Sequence, residues 1–258
     1  MIMDTKSVPW AELLDQIVSE PGCISKAYSA FHNYSLGNQM LAYSQCAGRG
    51  LDISPIASFK KWQELGRQVK KGEKALALYM PVTIKRKDEQ GEPDGDTFQT
   101  FMLRRNWFTL GQTEGQDYVA EVVSPEWDSK IALDSLGVVQ IEFRNPNGNS
   151  QGFAVGQSIA INPVAAFPHK TRFHELAHVV LGHTREFTMN DNELTPRDIK
   201  EVEAESVAYI LCSVLSLPGL KESRGYVQGW LDGQTISDKS AMKIFGAANR
   251  ILKAGQVA

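Results

Sequence analysis

Residues 174–178 read His-Glu-Leu-Ala-His, and this pattern restricts the local fold more than any other feature of the 258-residue chain. Side chains four positions apart share one face of an α-helix, so both imidazoles can reach one metal ion if the segment is helical. Glu175 then projects toward the position of a metal-bound water. The pattern predicts one zinc ion per chain, with His174 and His178 as ligands and Glu175 as the catalytic base.

A catalytic zinc ion needs a third protein ligand, which leaves the fourth position for water. Metzincins place a third histidine where this chain has Thr184, and they need glycine where it has Leu181. The third ligand is therefore expected from another segment of the chain.

The acidic segment Glu-Val-Glu-Ala-Glu-Ser at residues 201–206 is the best source of that ligand. Glu201 and Glu205 lie four residues apart on one helical face, whereas Glu203 points about 160 degrees away at 3.6 residues per turn. We predict that Glu201 binds the metal and that Glu205 accepts a hydrogen bond from a ligand imidazole. Glu203 is expected on a solvated face and is the alternative ligand.

A site of this kind hydrolyses amide bonds. The metal lowers the pKa of its water toward neutrality, and Glu175 accepts the proton as the water attacks a carbonyl carbon. Tyr209 and His183 are nearby in sequence, but core packing or solvation is the expected role of each. A metal that is only structural is the alternative interpretation.

The order of elements predicts an α+β fold, with strands preceding helices in the second half. The N-terminal half is expected to hold helices over 10–18, 26–45 and 59–65 and a β-hairpin of strands 75–84 and 97–110, followed by a linker over 111–130. The second half is expected to hold short strands over 138–143, 152–155 and 158–162 and then helices over 169–183, 196–215, 226–231 and 237–252.

Positive charge is concentrated in one region of a chain whose net charge is −3. Residues 49–87 contain ten Lys and Arg against three acidic residues, a local balance of +7, which leaves −10 for the remainder. Such a block indicates a polyanion-binding surface.

The same region mixes cations with aromatic and amide side chains, the components of a groove for single-stranded nucleic acid. The predicted phosphate contacts are Lys60, Lys61, Arg67, Lys70, Lys71 and Lys74. The predicted stacking and hydrogen-bonding side chains are Tyr34, Trp62, Asn33, Asn38 and Gln39.

The three cysteines are scattered and form no Cys-x-x-Cys pair, which is typical of a reducing compartment. The first residues lack a basic start followed by an apolar core, and no apolar run reaches the roughly 18 residues that a membrane span needs. A cytoplasmic protein without a membrane partner is expected.

Five segments together resemble the ArdC family of antirestriction proteins. They are FHNYSLGNQ at 31–39, SFKKWQELGRQVKKGEKALALYMP at 58–81, WFTLGQTEG at 107–115, HELAH at 174–178 and EVEAES at 201–206. The resemblance implies an N-terminal domain, residues 1–118, that binds single-stranded DNA as in TraC-type primases. It also implies a zincin-like metallopeptidase domain over 119–258 and a role in protecting incoming plasmid or phage DNA from host restriction.

One departure from the family pattern concerns the residues after HELAH. ArdC proteins carry a Trp-Thr pair there, whereas this chain has Val179 and Val180. The stretch HELAHVVLGH is also similar to peptidases that cleave phage-type repressors. The alternative function is therefore a zinc metallopeptidase that cleaves a specific regulatory protein, with the N-terminal domain recruiting that protein.

Overall fold

The computed structural model describes residues 9–87, 93–120, 126–144, 150–184, 196–231 and 235–257. The chain forms two compact units. The hairpin unit comprises Ala30–Tyr34 and Asn38–Glu121, and the helical unit comprises Met1–Ser29, Ser35–Gly37 and Val122–Ala258. Helices and sheets are mixed in the chain, which confirms the predicted α+β class.

A long antiparallel hairpin dominates the hairpin unit. Strands β3 (Leu76–Lys87) and β4 (Pro93–Thr109) pair along their length, with Met80 opposite Met102, and β1 (Ile56–Ser58) pairs with the other edge of β4. A smaller sheet pairs β2 (Arg67–Val69) with β5 (Thr113–Gly115). Helix α4 (Phe59–Glu64) joins the two sheets in sequence. The predicted hairpin is present, and part of its connecting loop, residues 88–92, lies outside the described residues.

Side-chain amides from helix α3 (Leu36–Arg49) occupy the edge of β3. Asn38 accepts a hydrogen bond from the backbone N–H of Tyr79 at 2.8 Å and donates one to its carbonyl at 2.9 Å. Gln45 does the same for Ala77, at 2.9 and 2.8 Å. The two amides therefore replace backbone partners that a further strand would supply.

The helical unit is built around a buried central helix. It contains α1 (Trp10–Ser19), most of α2 (Cys23–Phe31), α5 (Ser129–Leu136), α6 (Pro168–Val180), α7 (Arg197–Val214), α8 (Leu220–Leu231) and α9 (Asp238–Ala254). Every residue of α7 from Val202 to Val214 is buried, because α6, α8 and α9 pack around it. Helix α6 also packs on a three-stranded sheet of order β6-β8-β7, made by Val139–Gln140, Ser158–Ile161 and Gly152–Val155.

The N-terminal 29 residues belong to the helical unit. Leu13 and Ile17 on α1 are buried, and α1 packs against α8 and α9. Arg224 on α8 donates a 2.7 Å hydrogen bond to the carbonyl of Val18. The domain boundary predicted at 118/119 stays a prediction, and the N-terminal helix α1 is grouped with the helical unit and not with the hairpin unit.

Two expected elements differ from the structure. The helix predicted over 26–45 is broken into α2 and α3, because the turn after Phe31 is held by a hydrogen bond from Gln39 to the carbonyl of Tyr34. The side chain of Asn249 also caps the N–H of Leu36, where α3 begins. In the predicted linker, Thr113–Gly115 forms β5 and residues from Ser129 onward form α5.

Candidate metal centre and nucleic-acid interface

Helices α6 and α7 bring three ligand atoms together. The Nε2 atoms of His174 and His178 are 3.1 Å apart, and the Oε2 atom of Glu201 lies 3.4 and 3.7 Å from them. Tetrahedral zinc binds nitrogen and oxygen at about 2.0–2.2 Å, which places ligand atoms roughly 3.3–3.6 Å apart. The donor set and its spacing therefore fit a divalent metal ion. Among the described residues, these three are the group of His, Cys, Asp or Glu side chains whose ligand atoms lie close enough together to hold one metal ion.

Glu175 lines the same cleft as these ligands. Its carboxylate is buried, and burial raises its pKa against the opposing effect of His174 and His178. The backbone of Gly152 on β7 passes close to it, since a β-carbon at position 152 would be 3.0 Å from Oε1 of Glu175. The cleft, of about 430 Å³, is also lined by Gly152–Ala154 of β7 and by Arg197 and Lys200 of the first turn of α7.

The Nδ1 atom of His174 is held by a carboxylate, in the arrangement expected of Glu205. Glu205 Oε2 lies 2.9 Å from that nitrogen, and Glu205 Oε1 lies 2.7 Å from the ammonium of Lys170. Burial disfavours the charged form of His174, but hydrogen bonds with Glu201 and Glu205 outweigh it and raise the pKa to about 9. Burial likewise opposes ionisation of Glu205, but hydrogen bonds with His174 and Lys170 hold its pKa at about 2.

The Nδ1 atom of His178 contacts another imidazole. It lies 3.0 Å from Nδ1 of His183, whose Nε2 lies 2.9 Å from Oε2 of Glu203. The hydroxyl of Ser240 on α9 donates to the other oxygen of Glu203. Burial lowers the pKa of His183 despite its hydrogen bond with Glu203. Sequence reasoning gave His183 no role at the site, although its position five residues after His178 was a signal.

The expectation for Glu203 is corrected by these contacts. Its side chain is 3% exposed and bonded to His183 and Ser240, so it is neither a solvated residue nor one of the three clustered ligands. Glu203 does point away from Glu201, as the helical period predicts. Its environment differs from the prediction, because α9 covers the face of α7 that was expected to meet water.

Several residues predicted to bind DNA have structural roles instead. Trp62 is 1% exposed and donates a 2.9 Å hydrogen bond to the carbonyl of Phe108, so its ring offers no face for stacking. Gln39 is buried against Tyr34, and Asn38 is bonded to β3. Tyr34 donates to the carbonyl of Ile56 and meets Trp107 edge to face. The expected roles of Trp62, Gln39 and Asn38 are therefore corrected.

The predicted cations remain at the surface of the hairpin unit, and Asn33 is exposed beside α3. Lys60, Lys61, Lys70, Lys71 and Lys74 are exposed, whereas Arg67 is half-buried and donates to Thr113 and to the carbonyl of Gln116. Lys61 pairs with Glu64 at 3.3 Å, and Lys70 donates to the carbonyl of Gly111.

Among the described residues of the hairpin unit, two exposed aromatics were not among the predicted DNA contacts. Phe59 is 45% exposed and precedes Lys60, and Phe101 on β4 is 67% exposed. Exposure of a phenyl ring on a strand or helix start depends on which neighbours cover it. In the sequence, the one signal for an exposed Phe59 was its position directly before Lys60 and Lys61.

Comparisons with known proteins place this fold. The crystal structure of antirestriction ArdC protein from plasmid R388, metal-free, matches with a TM-score of 0.52 and 24% identity over 95% of this chain and 94% of that one. Its Mn(II)-bound structure matches with a TM-score of 0.52 and 22% identity over 96% of both chains. The family model described as the N-terminal domain of anti-restriction factor ArdC matches residues 3–113. Residues 3–113 thus match the N-terminal domain of the ArdC family, and the chain shares the fold of the R388 ArdC protein.

The family-model match over residues 3–113 and the shared fold support the resemblance to the ArdC family found in the sequence. The structural match to the R388 protein covers 95% of the chain, so the shared fold extends beyond residues 3–113, which the family model covers. That family match crosses both units, since its first residues belong to the helical unit. No curated protein matches the chain. No helix among the described residues has the length and hydropathy needed to cross a membrane.

Proposed function

We propose that this ArdC-family chain is an antirestriction protein that protects incoming plasmid or phage DNA from host restriction. Its hairpin unit binds single-stranded DNA, and its helical unit is a zincin-like metallopeptidase. The observation that carries the proposal is the cluster of His174, His178 and Glu201 beside the buried carboxylate of Glu175.

Zinc is the metal proposed for the site. Two imidazoles and one carboxylate, with one side open to a cleft, suit zinc. The related ArdC protein of plasmid R388 binds Mn(II). A divalent ion held by His174, His178 and Glu201 supplies the Lewis acidity that activates water and polarises a carbonyl.

Glu175 moves the proton in this proposal. Its raised pKa makes its carboxylate a stronger base than an exposed glutamate, and it faces the same cleft as the ligands. It accepts a proton from the attacking water on a carboxylate oxygen and then delivers that proton to the leaving amide nitrogen.

The position of strand β7 favours a peptide as the substrate. It is at the edge of the sheet order β6-β8-β7, and Gly152, Phe153 and Ala154 line the cleft. An extended peptide can hydrogen-bond to such an edge as an added strand, which orients its backbone without requiring a particular sequence.

The peptidase proposal is tested with Glu175→Gln, which keeps the side-chain shape and removes the base. We expect cleavage of an unfolded protein or peptide library to fall by about 10²–10⁴-fold. Metal content, measured by elemental analysis, should stay at one ion per chain. Glu201→Ala should reduce metal content, whereas the exposed Glu222→Ala should change neither measurement. Unchanged cleavage in Glu175→Gln would assign the metal a structural role.

The DNA-binding proposal rests on the exposed lysines of the hairpin unit together with Phe59 and Phe101. Ammonium groups bind phosphates, and exposed aromatic rings stack on unpaired bases. We expect Lys71→Ala to weaken binding and reduce its salt dependence, and Phe59→Ala to weaken binding at every salt concentration. Fluorescence anisotropy with a labelled oligonucleotide measures both effects.

Lys130→Ala, an exposed lysine of the helical unit, is the control for DNA binding. No affinity for any single strand at low salt would reject this part of the proposal. The antirestriction role is tested by plasmid transfer into a restricting host, where wild-type protein should raise survival of unmodified DNA and have no effect in a non-restricting host.

A second function is favoured by the exposed apolar side chains of β3 and β4. Met80, Ile84 and Met102 lie on one face of the hairpin and are all at least 38% exposed, and exposed apolar residues in proximity are typical of protein-binding surfaces. In this alternative the hairpin unit recruits a regulatory protein for cleavage. Loss of substrate capture in Ile84→Lys, with oligonucleotide affinity unchanged, would support it.

A further inference from the structure

We propose that His183, Glu203 and Ser240 form a relay that positions His178, by fixing its proton on Nδ1 and its lone pair on Nε2. This inference rests on the proposed metal site and goes beyond it, because His178 can bind a metal through Nε2 only as that tautomer.

The contact between His178 and His183 requires a single proton. Their Nδ1 atoms are 3.0 Å apart, so one nitrogen donates and the other accepts. Two N–H groups would place two hydrogens in the same gap, and two lone pairs would leave the contact without a hydrogen bond. Geometry alone allows the donor to be either residue.

Glu203 determines which residue donates. An ionised carboxylate only accepts hydrogen bonds, and its Oε2 lies 2.9 Å from Nε2 of His183. His183 therefore carries its proton on Nε2 and presents a lone pair at Nδ1. It follows that His178 donates through Nδ1–H, which leaves the lone pair of its Nε2 directed toward Nε2 of His174 and Oε2 of Glu201.

Ser240 completes the relay from a different helix. Its hydroxyl donates to the second oxygen of Glu203, and Ser240 is held in the first turn of α9 by the N-cap Ser237, which accepts from its backbone N–H at 3.1 Å. The side chains of His183 and Glu203 are 6% and 3% exposed. Because water has little access, an alternative tautomer would leave buried polar groups unpaired.

His183 is also fixed through its backbone. Its N–H donates to the carbonyl of His178 at 2.8 Å, so the ring lies in the turn that ends α6. His174 differs, since its Nδ1 contacts a carboxylate directly. The two ligands are thus oriented by separate sets of residues, and the relay can be altered without touching Glu205.

The test compares matched pairs of variants. Glu203→Gln keeps an acceptor for His183, whereas Glu203→Leu has similar volume and no acceptor. His183→Asn keeps an acceptor near the position of Nδ1, whereas His183→Leu has none. We expect zinc affinity, measured by chelator competition, to fall by about 10–100-fold in both leucine variants. The Gln and Asn variants should remain within a few-fold of wild type.

A second measurement reads the tautomer itself. Nitrogen–proton correlation NMR of the imidazoles should give Nδ1–H for His178 and Nε2–H for His183 in wild type, with or without zinc. The His178 assignment should be lost in Glu203→Leu. The control is Ser206→Ala, a buried residue of α7 whose hydroxyl contacts no partner among the described residues. Thermal melting verifies that each variant is folded.

The outcomes separate this inference from the proposed function. Equal zinc affinity within both pairs, or an Nε2–H tautomer of His178 in wild type, would overturn the relay. Wild type that binds no zinc but shows the expected tautomers would refute the metallopeptidase proposal while the relay stands.

Discussion

Position 152 controls where the carboxylate of Glu175 can lie. A β-carbon there would be 2.7 Å from Cγ2 of Thr171, 2.9 Å from the carbonyl oxygen of Ala160 and 3.0 Å from Oε1 of Glu175. The carbonyl belongs to the paired strand β8 and cannot move without disturbing the sheet. The backbone of β7 therefore approaches α6 this closely only because residue 152 is glycine.

Gly152→Ala is expected to move Glu175 and to destabilise the fold by about 1–3 kcal/mol through overpacking. The turnover number for peptide hydrolysis should fall more than KM rises, with metal content unchanged. Gly225→Ala in α8 is the control, because nothing lies within 4 Å of a β-carbon there. Full turnover by Gly152→Ala would show that Glu175 does not depend on this contact.

The three thiols give a pH-dependent prediction. Burial raises the pKa of Cys23 and Cys212 to about 12 and that of Cys46 to about 11. These thiols stay neutral in the folded protein, whereas the cysteine thiols of the unfolded chain ionise near pH 8.5. Stability from this source is complete below that pH and is lost as pH rises toward 11–12. Urea unfolding should show a falling free energy above pH 9, and Ellman's reagent should not react with folded protein at pH 8.

The sequence indicated the clustering of His174, His178 and Glu201 better than it indicated the residues around them. The spacing of His174 and His178 is local, so a helix is enough to bring both rings to one side. Ser240 and the burial of Glu203 depend on α9 packing against α7, a contact between elements about 40 residues apart. No periodicity within α7 distinguishes a face covered by a helix from one covered by water.

At the scale of elements, α4 is anchored by an aromatic residue that sequence reasoning assigned to DNA. Trp62 and the exposed Lys61 are adjacent, so composition alone could not separate a core aromatic from a stacking one. The ring of Trp62 packs edge to face on Tyr118 at 5.4 Å, and its indole N–H is bonded to β4. It therefore connects α4 to the sheet and to the segment that follows β5.

Trp62→Ala is expected to destabilise the hairpin unit by about 3–5 kcal/mol. Loss of the ring leaves a cavity and removes the hydrogen bond to the carbonyl of Phe108. Urea unfolding followed by circular dichroism measures the change, and Lys61→Ala should stay within about 0.5 kcal/mol of wild type. Weaker oligonucleotide binding by Trp62→Ala with unchanged stability would restore a direct role in stacking.

At the scale of the whole molecule, segments that are neighbours in sequence do not always belong to the same compact unit. Residues 1–29 come first in sequence but pack with elements that begin after residue 122. The stretch over 111–130 suggested a boundary between domains at 118/119, and that boundary stays a prediction. Nothing in α1 or α2 indicates which unit they join, because an apolar helical face does not encode its partner.

Removal of residues 1–29 is expected to impair the helical unit and its metal site. Leu13, Leu14, Ile17 and Val18 are each 1% exposed, and their loss uncovers the apolar surfaces of α8 and α9 that they contact. A chain starting at residue 30 should bind less zinc and unfold at lower temperature than the full chain. Retention of full zinc affinity would show that the helical unit folds without α1 and α2.

The amide clamps of α3 also affect how copies of the protein meet one another. Asn38 and Gln45 occupy backbone groups of β3 that could otherwise pair with a strand from a second molecule. Replacing both with leucine would remove that cover and expose an open template for intermolecular β-pairing. We therefore expect the double leucine variant to self-associate more than wild type in sedimentation measurements, whereas a DNA contact by Asn38 alone would leave the oligomeric state unchanged.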